Sequence, residues 1–282
     1  MDGMEPGRAP VEPRDAATVI LLRDEVDGFS VFMVKRHAKS GFMAGAYVFP
    51  GGVLDAEDEA PSVLARTRGR TAEEAARALG EPSSARALAL YVAALRETFE
   101  EAGVLLGHGS TTDLGDWRRR LVAGEVSFES VLETLGWELA VDALIPLARW
   151  VTPEVEPRRY DARFFLARAP HAQDAAHDRV EVTAGEWLRP RDALDRGARG
   201  EIQLPPPTLR TLENLAGFAS VDEAIEDAAR RLPPVVRPVF RSFGSSWALV
   251  LPGDPEHPET ERVIEGPTRF VAIDGVFRSV DP

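Results

Sequence analysis

The segment Arg96-Glu97-Thr98-Phe99-Glu100-Glu101-Ala102-Gly103-Val104 places three carboxylates within five residues. On a helix, positions i, i+3 and i+4 share a face, so Glu97, Glu100 and Glu101 project together. Three like charges at that spacing repel one another, and a divalent cation between them turns the repulsion into binding. Only oxygen donors stand in the cluster and the chain has no cysteine, so the hard ions Mg²⁺ or Mn²⁺ fit it best. The alternative is a solvated acidic helix end. Against it, the carboxylates fall at the C-terminal end of the helix, where the macrodipole disfavours negative charge unless a cation offsets it.

These side chains need a long helix to carry them, and the sequence supplies one. Ser83 or Ser84 can cap it, Leu88, Val92, Leu95 and Phe99 recur at three- and four-residue steps, and Gly103 ends it. Upstream, two apolar runs between Ala16 and Arg36 flank Asp-Glu-Val-Asp-Gly, the pattern of a hairpin. A Gly-rich loop follows, with a short strand at Ala46 to Phe49. Residues 56–82 are polar, with one helical piece from Ala72 to Leu79 stopped by Gly80, and read as an insertion.

Downstream, helices are expected at Leu114 to Val122 and Phe128 to Leu135, then strands at Leu144 to Val151, Ala162 to Ala167 and Val180 to Leu188. A short helix from Pro190 to Asp195 and a helix pair over Pro207 to Phe218 and Val221 to Arg231 come next. From Pro233, the Pro- and Gly-rich sequence with strand-like SSWALVL and TRFVAIDG marks a change of character. This order argues for a mixed α/β or α+β domain over residues 16–232, a loose arm over 1–15, and a β-rich C-terminal extension over 233–282.

Composition narrows the possible partners. The 282 residues carry 33 Lys+Arg and 46 Asp+Glu, a formal net charge of −13, with 44% hydrophobic residues. So acidic a surface, with no long basic run, argues against binding to a nucleic-acid backbone. No apolar run is long enough to cross a bilayer, and the cytoplasm is the default location. The missing cysteines remove disulfides, cysteine zinc sites, iron–sulfur clusters and thiol nucleophiles together.

Gly52 followed by Arg96-Glu97-Thr98-Phe99-Glu100-Glu101-Ala102-Gly103-Val104 resembles the signature of the Nudix hydrolases: Gly, five residues, Glu, seven residues, then Arg-Glu-aliphatic-x-Glu-Glu-x-Gly-aliphatic. Two departures stand out. Thr98 replaces an aliphatic residue, and 37 residues separate Asp58 from Arg96 where the family has seven, so residues 56–82 lie inside the motif. Glu57, Asp58 and Glu59 compete for the first acidic position. Lys35-Arg36-His37, Gly45 through Gly52, Trp150 through Glu154, Pro157 through Asp161 and Arg163-Phe164-Phe165 resemble the coenzyme A and acyl-CoA diphosphatase branch.

The resemblance implies a mixed-sheet α/β/α sandwich with an inserted helical segment. It implies metal-dependent hydrolysis of a diphosphate, with CoA or acyl-CoA giving adenosine 3′,5′-bisphosphate and phosphopantetheine products. Glu97 and Glu101 would be metal ligands with Gly52 assisting, Glu100 a ligand or the base, and Arg96 the residue that orients a glutamate. A further acid is expected from a later loop, with Glu181 first, Glu186 second, and Glu154 and Glu156 behind them. Lys35, Arg36, Arg158 and Arg159 are candidates for substrate phosphates, His37 for a phosphate hydrogen bond, and Phe42, Tyr47 and Phe49 for stacking on adenine. ADP-ribose, NADH or nucleotide sugars form the alternative substrate class, and a non-catalytic nucleotide-binding regulatory module the alternative of another kind. A homodimer formed through the C-terminal segment is left open.

Overall fold

The computed structural model describes residues 11–37, 45–171, 173, 175, 182–244 and 246–282. Strands β1 (Arg14–Glu25) and β2 (Gly28–Arg36) form the expected hairpin, turning at Gly28 with φ +96°. Strand β1 thus starts inside the segment expected to be a loose arm, because Arg14 and Asp15 pair with Tyr160 and Asp161. Short strands β3 (Tyr47–Val48) and β4 (Gly51–Val53) add to β2 and β1 respectively. A 3-10 turn at Ala56–Glu59, α1 (Pro61–Leu64), β5 (Thr67–Arg68) and α2 (Ala72–Leu79) then lead to the long helix α3 (Ser84–Ala102).

After α3 come β6 (Gly107–His108), α4 (Leu114–Val122), α5 (Phe128–Leu135) and β7 (Glu138–Ala140). Strands β8 (Ile145–Val151), β9 (Tyr160–Arg168) and β10 (Val182–Leu188) precede helices α6 (Pro190–Ala198), α7 (Pro206–Leu215) and α8 (Val221–Ala229). The chain ends in β11 (Val235–Val236), β12 (Val239–Phe243), β13 (Ser246–Val250), β14 (Arg269–Ile273) and β15 (Val276–Val280). Among the described residues no helix is long and apolar enough to cross a membrane.

The central sheet runs β10-β2-β1-β9-β8-β11, mixed in direction because β1 and β9 are parallel, as are β8 and β11. Both of its faces are covered. Ala17, Val19 and Leu21 of β1 pack with α3, while Ile20 and Leu22 pack with α7 and α8. Cover on both sides explains why β1 reads as a near-continuous apolar run rather than an alternation. The result is an α/β/α sandwich.

The insertion is more than a polar excursion. Val63, Ala75 and Leu79 are buried against α3, and α2 is fixed by a reciprocal cap in which Thr71 and Glu74 bond each other's backbone N–H groups. Gly80 ends α2 at φ +65°. Its neighbour Glu81 joins a buried ion-pair network with Arg149 and Arg163, which ties the insertion to β8 and β9.

The C-terminal strands β12 to β15 form an antiparallel sheet, of which the sequence had indicated only β13 and β14. This sheet is clamped to α7 by Arg210, which is 1% exposed. Arg210 donates to the Pro267 carbonyl and, at 2.7 Å, to the Ser279 hydroxyl, and lies 5.2 Å from the Phe270 ring centroid. Asp254 fastens the preceding loop by accepting from Thr268 at 2.9 Å and Arg269 at 2.8 Å.

Thr98, the departure from the aliphatic position, is fully buried and donates its hydroxyl to the Ala94 carbonyl at 2.7 Å. That carbonyl already has its helical partner, so removing the hydroxyl orphans no group. Thr98→Val is therefore expected to melt within about 1 kcal/mol of the wild type, on either side, and to keep its turnover. Thermal denaturation with an activity assay checks this.

Candidate active site

Two glycines bring the backbone against the carboxylate helix. Gly51 donates its N–H to Glu101 Oε2 at 2.9 Å, and a Cβ there would come within 2.4 Å of the Ala17 carbonyl oxygen. A Cβ on Gly52 would lie 2.3 Å from Glu97 Oε1, so only glycine allows β4 to run this close to the Glu97 carboxylate.

Arg96 organises the acids. Its Nε and Nη2 donate to Asp58 Oδ1 and Oδ2 at 2.8 and 2.9 Å, a bidentate pair, and Nη2 also reaches the Val53 carbonyl at 3.0 Å. Its Nη1 bridges Glu97 at 2.8 Å and Glu100 at 3.2 Å. Burial disfavours the charged guanidinium, but the Asp58 hydrogen bonds and the charges of Glu97, Asp58 and Glu100 outweigh it and raise the Arg96 pKa. Among the three candidates for the first acidic position, Asp58 is the one at Arg96. Glu57 instead accepts from the Phe128 N–H at 3.4 Å, and Glu59 is exposed.

Arg96 reaches the helix glutamates through Nη1 alone, and its bidentate contact is with Asp58. Arg118 donates to the Glu100 carbonyl at 2.8 Å and so supports the helix end beside Gly103, whose φ is +74°.

A cavity of about 870 Å³ opens over this corner. Its floor holds Gly51, Gly52, Arg96, Glu97, Glu100 and Glu101, and Arg14, Arg36, His37 and Arg158 also line it. Facing side chains of the central sheet, namely Thr18, Trp150, Ala162 and Phe164, form one wall, with Phe49 beside them. The opposite wall comes from Pro205 through Thr208 at the start of α7 and from Pro238, Leu249 and Phe277 of the C-terminal segment. Two buried donors at the cavity, Arg36 Nε and Trp150 Nε1, have no hydrogen-bond partner among the described residues.

Not every sequence candidate reaches the cavity. Lys35 is absent from its lining because β2 alternates and sends Lys35 away from Arg36, towards the Tyr47 ring at 6.0 Å. Arg159 spends its guanidinium on the Thr152 and Val11 carbonyls at 3.1 and 2.7 Å, which fastens the entry to β1. Glu156 lines the cavity, whereas Glu186 pairs with Arg196 at 2.8 Å. Burial would raise the Glu186 pKa, but its bonds to Arg196 and Tyr47 lower it, which makes Glu186 a weaker base. Tyr47 is buried beside that pair, away from the cavity, and burial pushes its pKa up. Glu181 and Phe42 lie outside the described residues. Arg14, Thr18 and the C-terminal wall were missed, since long-range pairing rather than any local motif brings them in.

Among the described residues no three His, Asp or Glu side chains are gathered tightly enough to make a ready-formed metal cage. The chemistry of the site nonetheless suits a hard cation. Glu97 packs against Gly52, Glu101 accepts from the Gly51 N–H, and Glu100 stands beside them, so three carboxylates line the floor of one open cavity.

The comparisons with known proteins agree with this architecture. The model of the NUDT19 Nudix domain matches residues 13–215. The chain is 29% identical to acyl-coenzyme A diphosphatase NUDT19 of Gallus gallus, over 82% of this chain and 73% of that protein. It is 28% identical to the Homo sapiens protein of the same name, over 85% of this chain and 75% of that one. Among solved structures, a NUDIX hydrolase from Alicyclobacillus acidocaldarius superposes with a TM-score of 0.65 at 29% identity, covering 76% of this chain and 96% of that chain. With its sandwich, its interrupted motif and these relatives in agreement, the chain belongs to the NUDT19 Nudix domain family and is a Nudix hydrolase.

Proposed function

We propose that this enzyme hydrolyses the diphosphate of coenzyme A or of its acyl thioesters, using Mg²⁺ or Mn²⁺, to adenosine 3′,5′-bisphosphate and phosphopantetheine or its acyl derivative. The observation that carries this reading is the single cavity that joins the carboxylate floor to Arg14, Arg36 and Arg158, with the Arg36 Nε donor directed to no protein acceptor among the described residues. A substrate with both a diphosphate and a ribose phosphate needs several cations, and an acidic protein must concentrate them locally. The relatives named acyl-coenzyme A diphosphatase support the same substrate class.

Glu97 and Glu101, with the Gly52 carbonyl, would hold the divalent cation. When bound, that cation neutralises the diphosphate and lowers the pKa of a coordinated water. The protein's own part is positional. Gly51 holds Glu101 in place through its N–H, and Arg96 holds Glu97 and Glu100. Glu100 has 24% of its side chain exposed against 9% for Glu97, so it is the more open of the two to water and takes the proton of the attacking water. The new P–O bond forms as the bridging P–O bond breaks, and the leaving phosphate carries off the electron pair.

Incubation with either metal and a panel of CoA, acyl-CoA, ADP-ribose, NADH and a nucleotide sugar tests the reading. Adenosine 3′,5′-bisphosphate is the expected product by mass spectrometry; AMP from the other substrates, with CoA untouched, overturns the substrate assignment. Removing one charge-assisted contact should weaken substrate binding by about 10- to 100-fold. Arg36→Ala is thus expected to raise KM for CoA by that factor with a smaller change in kcat, as steady-state kinetics would show.

A further inference from the structure

A second cavity, of about 520 Å³, lies between α6, α7 and β15, and Phe277 lines both it and the cavity over the carboxylates. Its floor is apolar and built: Ile202, Leu204 and Leu209 are 3, 6 and 8% exposed. Beside these apolar side chains the lining is mixed, with Asp195 and Arg278 exposed. Glu213 also borders it, and burial raises the Glu213 pKa despite the Arg210 charge, so the protonated form is favoured more than for an exposed glutamate.

We infer that this second cavity holds the acyl chain of a thioester substrate whose diphosphate lies over the carboxylate helix, with Phe277 at the threshold between the two. The inference rests on the CoA reading above and adds a subsite to it. A long linear substrate needs room beyond the reacting centre, and among the described residues the one that lines both cavities is aromatic and suited to contact a flexible chain. The wall is rigid, because Arg210 ties β15 to α7 through Ser279. Strand β15 also lies beyond residues 13–215, the part matched by the family model, so the subsite draws on the C-terminal sheet.

Binding measured calorimetrically in chelator separates this subsite from catalysis. Burying methylenes of a long acyl chain tightens binding, so dodecanoyl-CoA is expected to bind the wild type at least about 10-fold more tightly than CoA. Two plugs at exposed positions on the pocket, Ala198→Trp and Gln203→Trp, should cut that gain to about 2-fold or less while CoA binding and melting temperature stay unchanged. A wild type with no chain-length gain, or plugged variants that keep it, overturns the subsite. If the gain is present and plug-sensitive but no CoA compound is hydrolysed with metal, the subsite stands and the proposed reaction falls.

Discussion

Glu101→Gln is expected to lower turnover by about 10³-fold or more, which corresponds to ~4 kcal/mol of lost transition-state stabilisation. The side-chain amide keeps an oxygen that can still accept from the Gly51 N–H, as Glu101 does at 2.9 Å, so the loop geometry survives while the negative charge is lost. Glu100→Gln should behave alike, since its amide oxygen can still accept from Arg96. Both variants should melt near the wild type. Single-turnover kinetics beside thermal denaturation reads the separation: wild-type-like turnover in both variants would remove these carboxylates from the chemistry, and parallel loss of fold and rate would make their role structural.

Asp58→Ala should have the largest effect on stability. Arg96 and Asp58 are 7 and 0% exposed, and removing Asp58 strips the buried guanidinium of its bidentate acceptor while Glu97 and Glu100 still face Nη1, which puts the cost at about 3 kcal/mol, the low end for breaking a buried pair. In a chain of this size that lowers the melting temperature by roughly 5 °C. Activity should fall as well, because the same guanidinium holds Glu97 and Glu100. An Asp58→Ala protein that melts within 2 °C of the wild type would contradict this account.

Much of the scaffold was legible in the sequence, for local reasons. Helix α3 carries its own punctuation in Ser83 and Gly103, α2 and α5 run from Thr71 and Ser127 caps to Gly80 and Gly136, and α4 begins and ends where its periodicity places it. The two- and three-residue strands β4, β5, β6, β7 and β11 were not readable, since a pattern with period 2 needs more residues than they have. The insertion looked wholly polar because Val63, Ala75 and Leu79 are few among charged neighbours, yet those are the residues that anchor it.

At the site, the helix face was visible from spacing alone, whereas the choice among Glu57, Asp58 and Glu59 required the fold. Adjacent residues there differ in burial, and only the 3-10 turn aims Asp58 at Arg96. Likewise, neighbouring cations such as Lys35 and Arg36 are equivalent in sequence and opposite on a strand.

The pairing of Asp58 with Arg96, 38 positions apart, changes what kind of object the motif is. Closing a flexible loop costs entropy that grows only with the logarithm of its length, about 0.6 kcal/mol for each doubling. Once two anchored ends meet in a buried bidentate contact, the number of residues strung between them is thermodynamically cheap to change. The signature is therefore an arrangement in space, and its spacing along the chain costs little stability to change. Segments grown inside it can become part of the core without disturbing the chemistry on either side.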